Sequence, residues 1–279
     1  MSLRRRYFRD RLMQLLVYLG TLVVLLPLFF ILYYVFVQGI GALNLEFFTR
    51  EPAPPGEAGG GMLPAIVGSL VVDLLALFFA AVFGIAAGIL LAEYPDHPLN
   101  PFLRLVSDVM AGLPAILMGL VAFVLVVKPM GHFSGLSGAV ALALIMVPII
   151  TRATEGVLKL IPWEITEAGL ALGLPRWRVI SSLVLPAARG GILTGLMLAL
   201  ARGAGEAAPL LFTAFGNPFL TLNPLEPMDT LPLKLYVYAI SPYEDWHRQA
   251  WGAALILAAA IMLANYLARR ATRTGGQPR

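Results

Sequence analysis

The 279-residue chain contains no cysteine, which excludes a disulfide framework, thiolate metal ligation and a cysteine nucleophile. Charge is scarce, at 13% Asp, Glu, Lys and Arg, where a soluble domain carries about a quarter. The only histidines, His97, His132 and His247, are too scattered to pair on one helix face. No G-x-x-x-x-G-K-[ST] phosphate loop occurs, and no nucleophile–base or metal constellation marks an enzyme. Apolar residues are in excess, at 59% of the whole, with mean hydropathy +0.81. The few charges fall in short clusters between long uncharged stretches, the pattern of membrane spans joined by loops. The net charge of +4 is therefore read as topology, with no nucleic-acid partner.

A span needs about 20 mostly apolar residues, each adding about 1.5 Å across a core of about 30 Å. Six stretches are candidates: 12–37, 63–92, 102–127, 135–150, 190–215 and 250–267. Pro114 is expected to bend the third. The fourth is short unless Thr151 to Thr154 extend it. Residues 39–61 carry Pro52, Pro54, Pro55 and Gly59 to Gly61, an irregular loop. Within the loop 216–249, the apolar piece 231–240 is too short to cross and is expected to be re-entrant or interfacial. The expected fold is all-α and integral to the membrane, with six transmembrane helices. Residues 1–62 form the N-terminal span and periplasmic loop, 63–270 the transmembrane domain, and 271–279 a cytoplasmic tail.

Basic residues orient the chain. With the N-terminus inside, fifteen of the 20 Lys and Arg fall in the cytoplasm. Only Arg50, Lys128, Lys234 and Arg248 lie outside, with Arg202 inside the bilayer, a strong positive-inside asymmetry. Both termini and the loop 155–188 are then cytoplasmic. Arg5-Arg6-Tyr7-Phe8 has the look of an export signal, but the apolar stretch is too long and ends without a small-residue cleavage site, so an uncleaved first span is expected.

The loop 155–188 carries the most specific pattern. Pro162 suits the first turn of a helix, Gly173 its end, and Pro175 the start of a second short helix ending before Pro186. Glu164 and Glu167 are three residues apart, on one face. Glu167-Ala168, then Gly173, then Leu183-Val184-Leu185-Pro186 resemble the EAA loop of ABC-importer permeases, with Gly169 in place of the second Ala and Leu183 in place of Ile. The resemblance implies that this is the coupling helix, which inserts into an ATPase subunit through Glu164, Glu167, Ala168, Gly173, Leu185 and Pro186. ATP and its magnesium would then belong to that partner, and this chain would bind no cofactor.

In the fifth span, Arg202 lies about a dozen residues beyond Arg189, near mid-membrane at about 1.5 Å per residue. A charge there costs at least about 2.5–3.5 kcal/mol, which makes it a functional-site candidate. Glu206, one turn on, pairs with it. Two readings stay open: an ion pair that locks helix packing, or an arginine facing a cavity, its fork meeting an oxyanion and Glu206 tempering the affinity.

The text around this pair is similar to the PstA family, permease subunits of the phosphate importer. The matching pieces are Thr151-Arg152-Ala153-Thr154-Glu155, Thr194-Gly195, Ala201-Arg202, Gly205-Glu206-Ala207-Ala208-Pro209-Leu210-Leu211-Phe212-Thr213 and Thr230-Leu231-Pro232. Ala207 stands where that family has Thr, which removes a hydroxyl. The similarity runs through residues 151–270, more weakly through 63–119. It implies an inner-membrane permease moving phosphate, paired with a second homologous permease. Two copies of an ATPase would lie below and a periplasmic phosphate-binding protein would dock outside. A permease for molybdate, sulfate or phosphonate is the nearest rival. An ATP-independent secondary transporter is another, which the docking loop argues against.

Asp73, inside the second span, is expected to hydrogen-bond to a neighbouring helix, with an ion relay as the alternative. Trp163, Trp177, Trp246 and Trp251 read as membrane-interface anchors, and Ala115, beside Pro114, offers no hydroxyl for a ligand.

Overall fold

Ten helices follow one another in the computed structural model, which describes residues 3–274. They are α1 (Leu3–Ile40), α2 (Leu45–Thr49), α3 (Leu63–Glu93) and α4 (Asn100–Gly112). Next come α5 (Ala115–Met130), α6 (Gly135–Leu158), α7 (Trp163–Ala171) and α8 (Arg176–Gly203). The last two are α9 (Leu231–Ala239) and α10 (Glu244–Thr274). Helices α1, α3, α6, α8 and α10 are long and apolar enough to cross a membrane, and α4–α5 make a sixth span if taken together. The two halves of that pair meet at 114°, at Leu113-Pro114, where the sequence anticipated a bend. Most of the assigned tail, residues 275–279, lies outside the described residues.

Several boundaries differ from the sequence reading, two of them for causes visible in the structure. The fourth span is longer than 135–150, because a reciprocal Ser134–Ser137 cap starts α6 cleanly and nothing breaks it before Leu158. The fifth is shifted. Pro186 was expected to end a short helix, but α8 runs through it from Arg176 to Gly203. The reason is a wide π-turn over Ile180–Val184, which relieves the clash a proline ring makes with the preceding turn. α5 uses the same device, a π-turn over Phe123–Val127 ahead of Pro129. The polar segment between spans therefore shrinks from 155–188 to 159–175.

α6 is the axis of the bundle. On one face Gly84 and Gly88 of α3 approach Ile150 and Thr154, and on a neighbouring face Gly191 and Gly195 of α8 approach Val157 and Ala153. Both pairs have the four-residue spacing that lets apolar helices pack backbone-close without hydrophobic help from water. A Cβ at residue 195 would lie 2.5 Å from that of Ala153. Gly195→Val is therefore expected to push α8 off α6 at a cost of about 1–3 kcal/mol. The check is the thermal midpoint of the detergent-solubilised protein, and an unchanged midpoint would mean this seam is not tight.

α1 is exposed along nearly its whole length and is held near its C-terminal end. There Tyr34 meets Trp251 edge-on at 5.1 Å, and Gly39 passes the Trp251 carbonyl. α2, α9 and the start of α10 form a separate apolar cluster around Phe47, Met62, Tyr238 and Ala253. Tyr238 stacks on Trp246 at 4.3 Å, so Trp246 and Trp251 are packing residues as well as aromatic markers. The apolar piece 231–240 forms the short helix α9.

Candidate functional site

Helix α8 ends where glycine permits it. Met146 of α6 presses so close to Gly203 that any side chain there would overlap it. After Ala204 the backbone leaves the helix. Arg202, in the last turn, forms an ion pair with Glu206 just past the helix end. The arginine side chain is 59% exposed and the glutamate 16%. A cation in a last turn also sits favourably against the helix dipole.

The segment after the pair turns back into the bundle. Pro209 packs on Gly119 of α5, and Leu210 and Ala214 are fully enclosed. The Thr213 hydroxyl donates to the Pro209 carbonyl at 2.9 Å. The Thr213 carbonyl accepts from Ser137 Oγ at 2.9 Å. Phe215 takes a left-handed backbone conformation (φ 63°) and stacks on Phe133 at 4.5 Å. The sequence reading carried the fifth span to 215; the structure ends it at Gly203 because Gly203, Gly205 and Pro209 interrupt the helix. Irregular backbone at membrane depth survives only where protein encloses it or where it lines a cavity.

The predicted docking loop forms a helix and a corner. Glu164, Glu167 and Ala168 are exposed on α7, and Trp163 Nε1 donates to Glu167 at 2.8 Å. Gly173 is left-handed, with φ 79°. Gly169, read from sequence only as a propensity cost, lets α7 close on Val179 and Leu183 of α8. Leu185 is half-buried in the apolar cluster that joins this region to α3, and Pro186 is exposed. Leu160, Leu172, Trp163 and Trp177 all project outward here. Trp163 and Trp177, expected as membrane-interface anchors, stand exposed beside the α7 corner.

A charged hub escaped the sequence reading. Glu155 of α6 is buried, and its carboxylate meets Arg104 of α4 at 2.7 Å, Lys159 at 2.7 Å and Arg152 at 3.2 Å. Arg152 also pairs with Asp108 of α4. The spacings 152, 155 and 159 were visible, but the partners on α4 were not. Glu155→Gln leaves three cations with half their counter-charge. The three cations are each more than a third exposed and can be resolvated, so the loss is discounted to about 1–2 kcal/mol, and α4 is expected to loosen on α6. Faster protease cleavage near residues 94–99 would report this, and an unchanged digestion pattern would refute it.

Asp73 departs from expectation: among the described residues it has no hydrogen-bond partner on a neighbouring helix, and it is only half-buried. In the loop before α9, Asp229 is buried and held to Lys234 at 2.8 Å. Burial pushes its carboxyl above the ordinary range, and the Lys234 ammonium pulls it back. Among the described residues no three His, Asp or Glu side chains converge as a metal site.

Residues 84–273 match the family model described as binding-protein-dependent transport system inner membrane component. The chain is 43% identical over 243 residues to the phosphate transport system permease protein PstA of Yersinia pestis, covering 87% of this chain and 82% of that one. With the PstA of Haemophilus influenzae it shares 39% over 269 residues, 95% of each chain. With a probable PstA of Methanocaldococcus jannaschii it shares 37% over 256 residues, 90% of this chain and 89% of that one. Among solved structures, the inward-facing MetNI methionine ABC transporter superposes with a TM-score of 0.66 at 18% identity. That match covers 77% of this chain and 96% of the other, a likeness of fold alone.

Proposed function

Because the chain belongs to the PstA family of phosphate transport system permeases, we propose that it is the membrane subunit of an ATP-driven importer that passes inorganic phosphate into the cytoplasm. It is a multi-pass, all-helical membrane protein with the ABC-permease fold. In the proposed arrangement it lies in the inner membrane with both termini and residues 159–175 on the cytoplasmic side, as the positive-inside asymmetry requires. A second, homologous permease completes the pathway, two ATPase subunits receive α7, and a periplasmic phosphate-binding protein delivers the anion.

The observation that carries the cargo reading is the Arg202–Glu206 pair. Most of the arginine side chain is exposed, and among the described residues its charged partner is its own near neighbour. That supports a surface along a path more than a packing lock. A guanidinium fork suits phosphate oxygens, while Glu206 competes for it and keeps binding releasable. A rigid α7 turned by Gly173 supplies the other requirement, a stiff element through which nucleotide-driven closure of the ATPases biases two states of the spans.

The test is radiolabelled phosphate uptake into proteoliposomes holding the whole importer, with ATP inside and sulfate or molybdate as competitors. Phosphate-selective, ATP-dependent uptake is expected. Preference for another oxyanion would discard the cargo, and uptake indifferent to ATP would discard the coupling.

A further inference from the structure

The C-terminal end of α3 is capped from outside its own helix. A helix leaves its last carbonyls without intrahelical donors, and here a guanidinium nitrogen of Arg176 donates to the Glu93 carbonyl. The same guanidinium lies 4.5 Å from the centre of the Tyr94 ring, so its plane and its charge are both engaged. Arg176 is the first residue of α8 and follows Gly173, the corner that ends the docking segment, by three positions. One side chain thus ties the base of the knob to the second span.

Two polar atoms at this joint have no partner. Glu93 is 7% exposed, and its Oε2 is buried without a hydrogen bond; so is Nε of Arg176. An unmet buried carboxylate oxygen and an unmet guanidinium N–H are each costly. They are complementary, and they belong to two residues already in contact. The rest of the joint is apolar, with Ile85, Ile89 and Ala92 of α3 against Val179, Val184 and Leu174. Apolar contact has no direction and lets surfaces slide; the Arg176 contacts fix a register.

We propose that Arg176 is the positioning residue through which the docking loop drives the second span directly: in this state it caps the α3 terminus, and in the alternate transport state its guanidinium takes up the Glu93 carboxylate. The inference rests on the loop being the coupling element. Movement of α7 then reaches α3 by a path that does not pass along α8, and the orphaned atoms are the vacant half of a two-position latch.

The experiment uses the complete reconstituted importer and reads phosphate moved per ATP hydrolysed, with the amount of assembled complex as control. Arg176→Met keeps the apolar stem and is expected to lower that ratio about five- to tenfold while ATP hydrolysis continues. Glu93→Gln leaves the capped carbonyl intact, removes only the charge, and is expected to lower the ratio as well. Arg176→Lys is expected to recover part of the loss, since it restores a donor and a charge without the fork. The Arg176→Met and Glu93→Gln double variant is expected to be no worse than Arg176→Met alone, because both act on one contact. A ratio unchanged in both single variants, or uptake and hydrolysis falling together with the amount of complex, overturns the proposal. If Gly173→Val uncouples while Arg176→Met does not, the loop couples by another route. If neither uncouples, the reading of the loop itself fails.

Discussion

Arg202→Gln is expected to reduce ATP-dependent phosphate uptake about 100-fold, roughly the 1.5–3 kcal/mol of a charge-assisted hydrogen bond, with the amount of assembled complex on a native gel unchanged. Glutamine keeps much of the side-chain length but loses both the charge and the fork. Two causes of such a loss are separable. Removing the arginine also leaves Glu206, only 16% exposed, without its partner, and a bare carboxylate there would repel phosphate. The double variant Arg202→Gln with Glu206→Gln removes that repulsion. If uptake stays lost, the guanidinium itself met the anion. If uptake returns, arginine served only to neutralise Glu206. Equal loss of complex and of uptake would return the pair to a packing role.

Gly173→Val is expected to leave the ATPases hydrolysing while phosphate uptake falls about tenfold or more, the scale of about 1–2 kcal/mol. At φ 79° a glycine is unstrained, whereas a β-branched residue in the left-handed region pays that energy or rearranges the turn. The added Cβ would meet nothing within 4 Å, so the cost is conformational and local, and the bundle core is spared. That makes the variant a clean test of the corner: a shifted or softened α7 transmits less of the ATPase movement to the spans. The readout is the ratio of phosphate moved to ATP hydrolysed in the reconstituted complex. A normal ratio would show that α7 does not depend on this turn for its direction.

Features that depend on neighbours along the chain could be read directly from the order of residues. Apolar runs set the spans, Pro114 the sharp bend, and Gly173 the left-handed corner. Residues 202 and 206, four apart, were placed to pair, and they do so although the helix ends between them. Each of these is a contest between a local backbone preference and a few adjacent side chains. The passage of α8 through Pro186 was hidden because a π-turn, which costs little inside a long packed helix, overrules the proline rule. The end of the same helix at Gly203 was masked by the apolar run that continues to Phe215, although Gly203, Gly205 and Pro209 stood there to be read.

Glu155 illustrates the wider limit. Its helical neighbours Arg152 and Lys159 were readable, but its burial and its link to Arg104 follow from how α4 folds back onto α6. Asp73 shows the converse, since a polar residue in a span predicted a hydrogen-bond partner and none is found among the described residues. Hydropathy reports that a residue avoids water, and lipid and protein core satisfy that equally. Which face of each span is covered, which charges meet across the bundle, and that Arg176 caps α3 were therefore decided by tertiary structure alone.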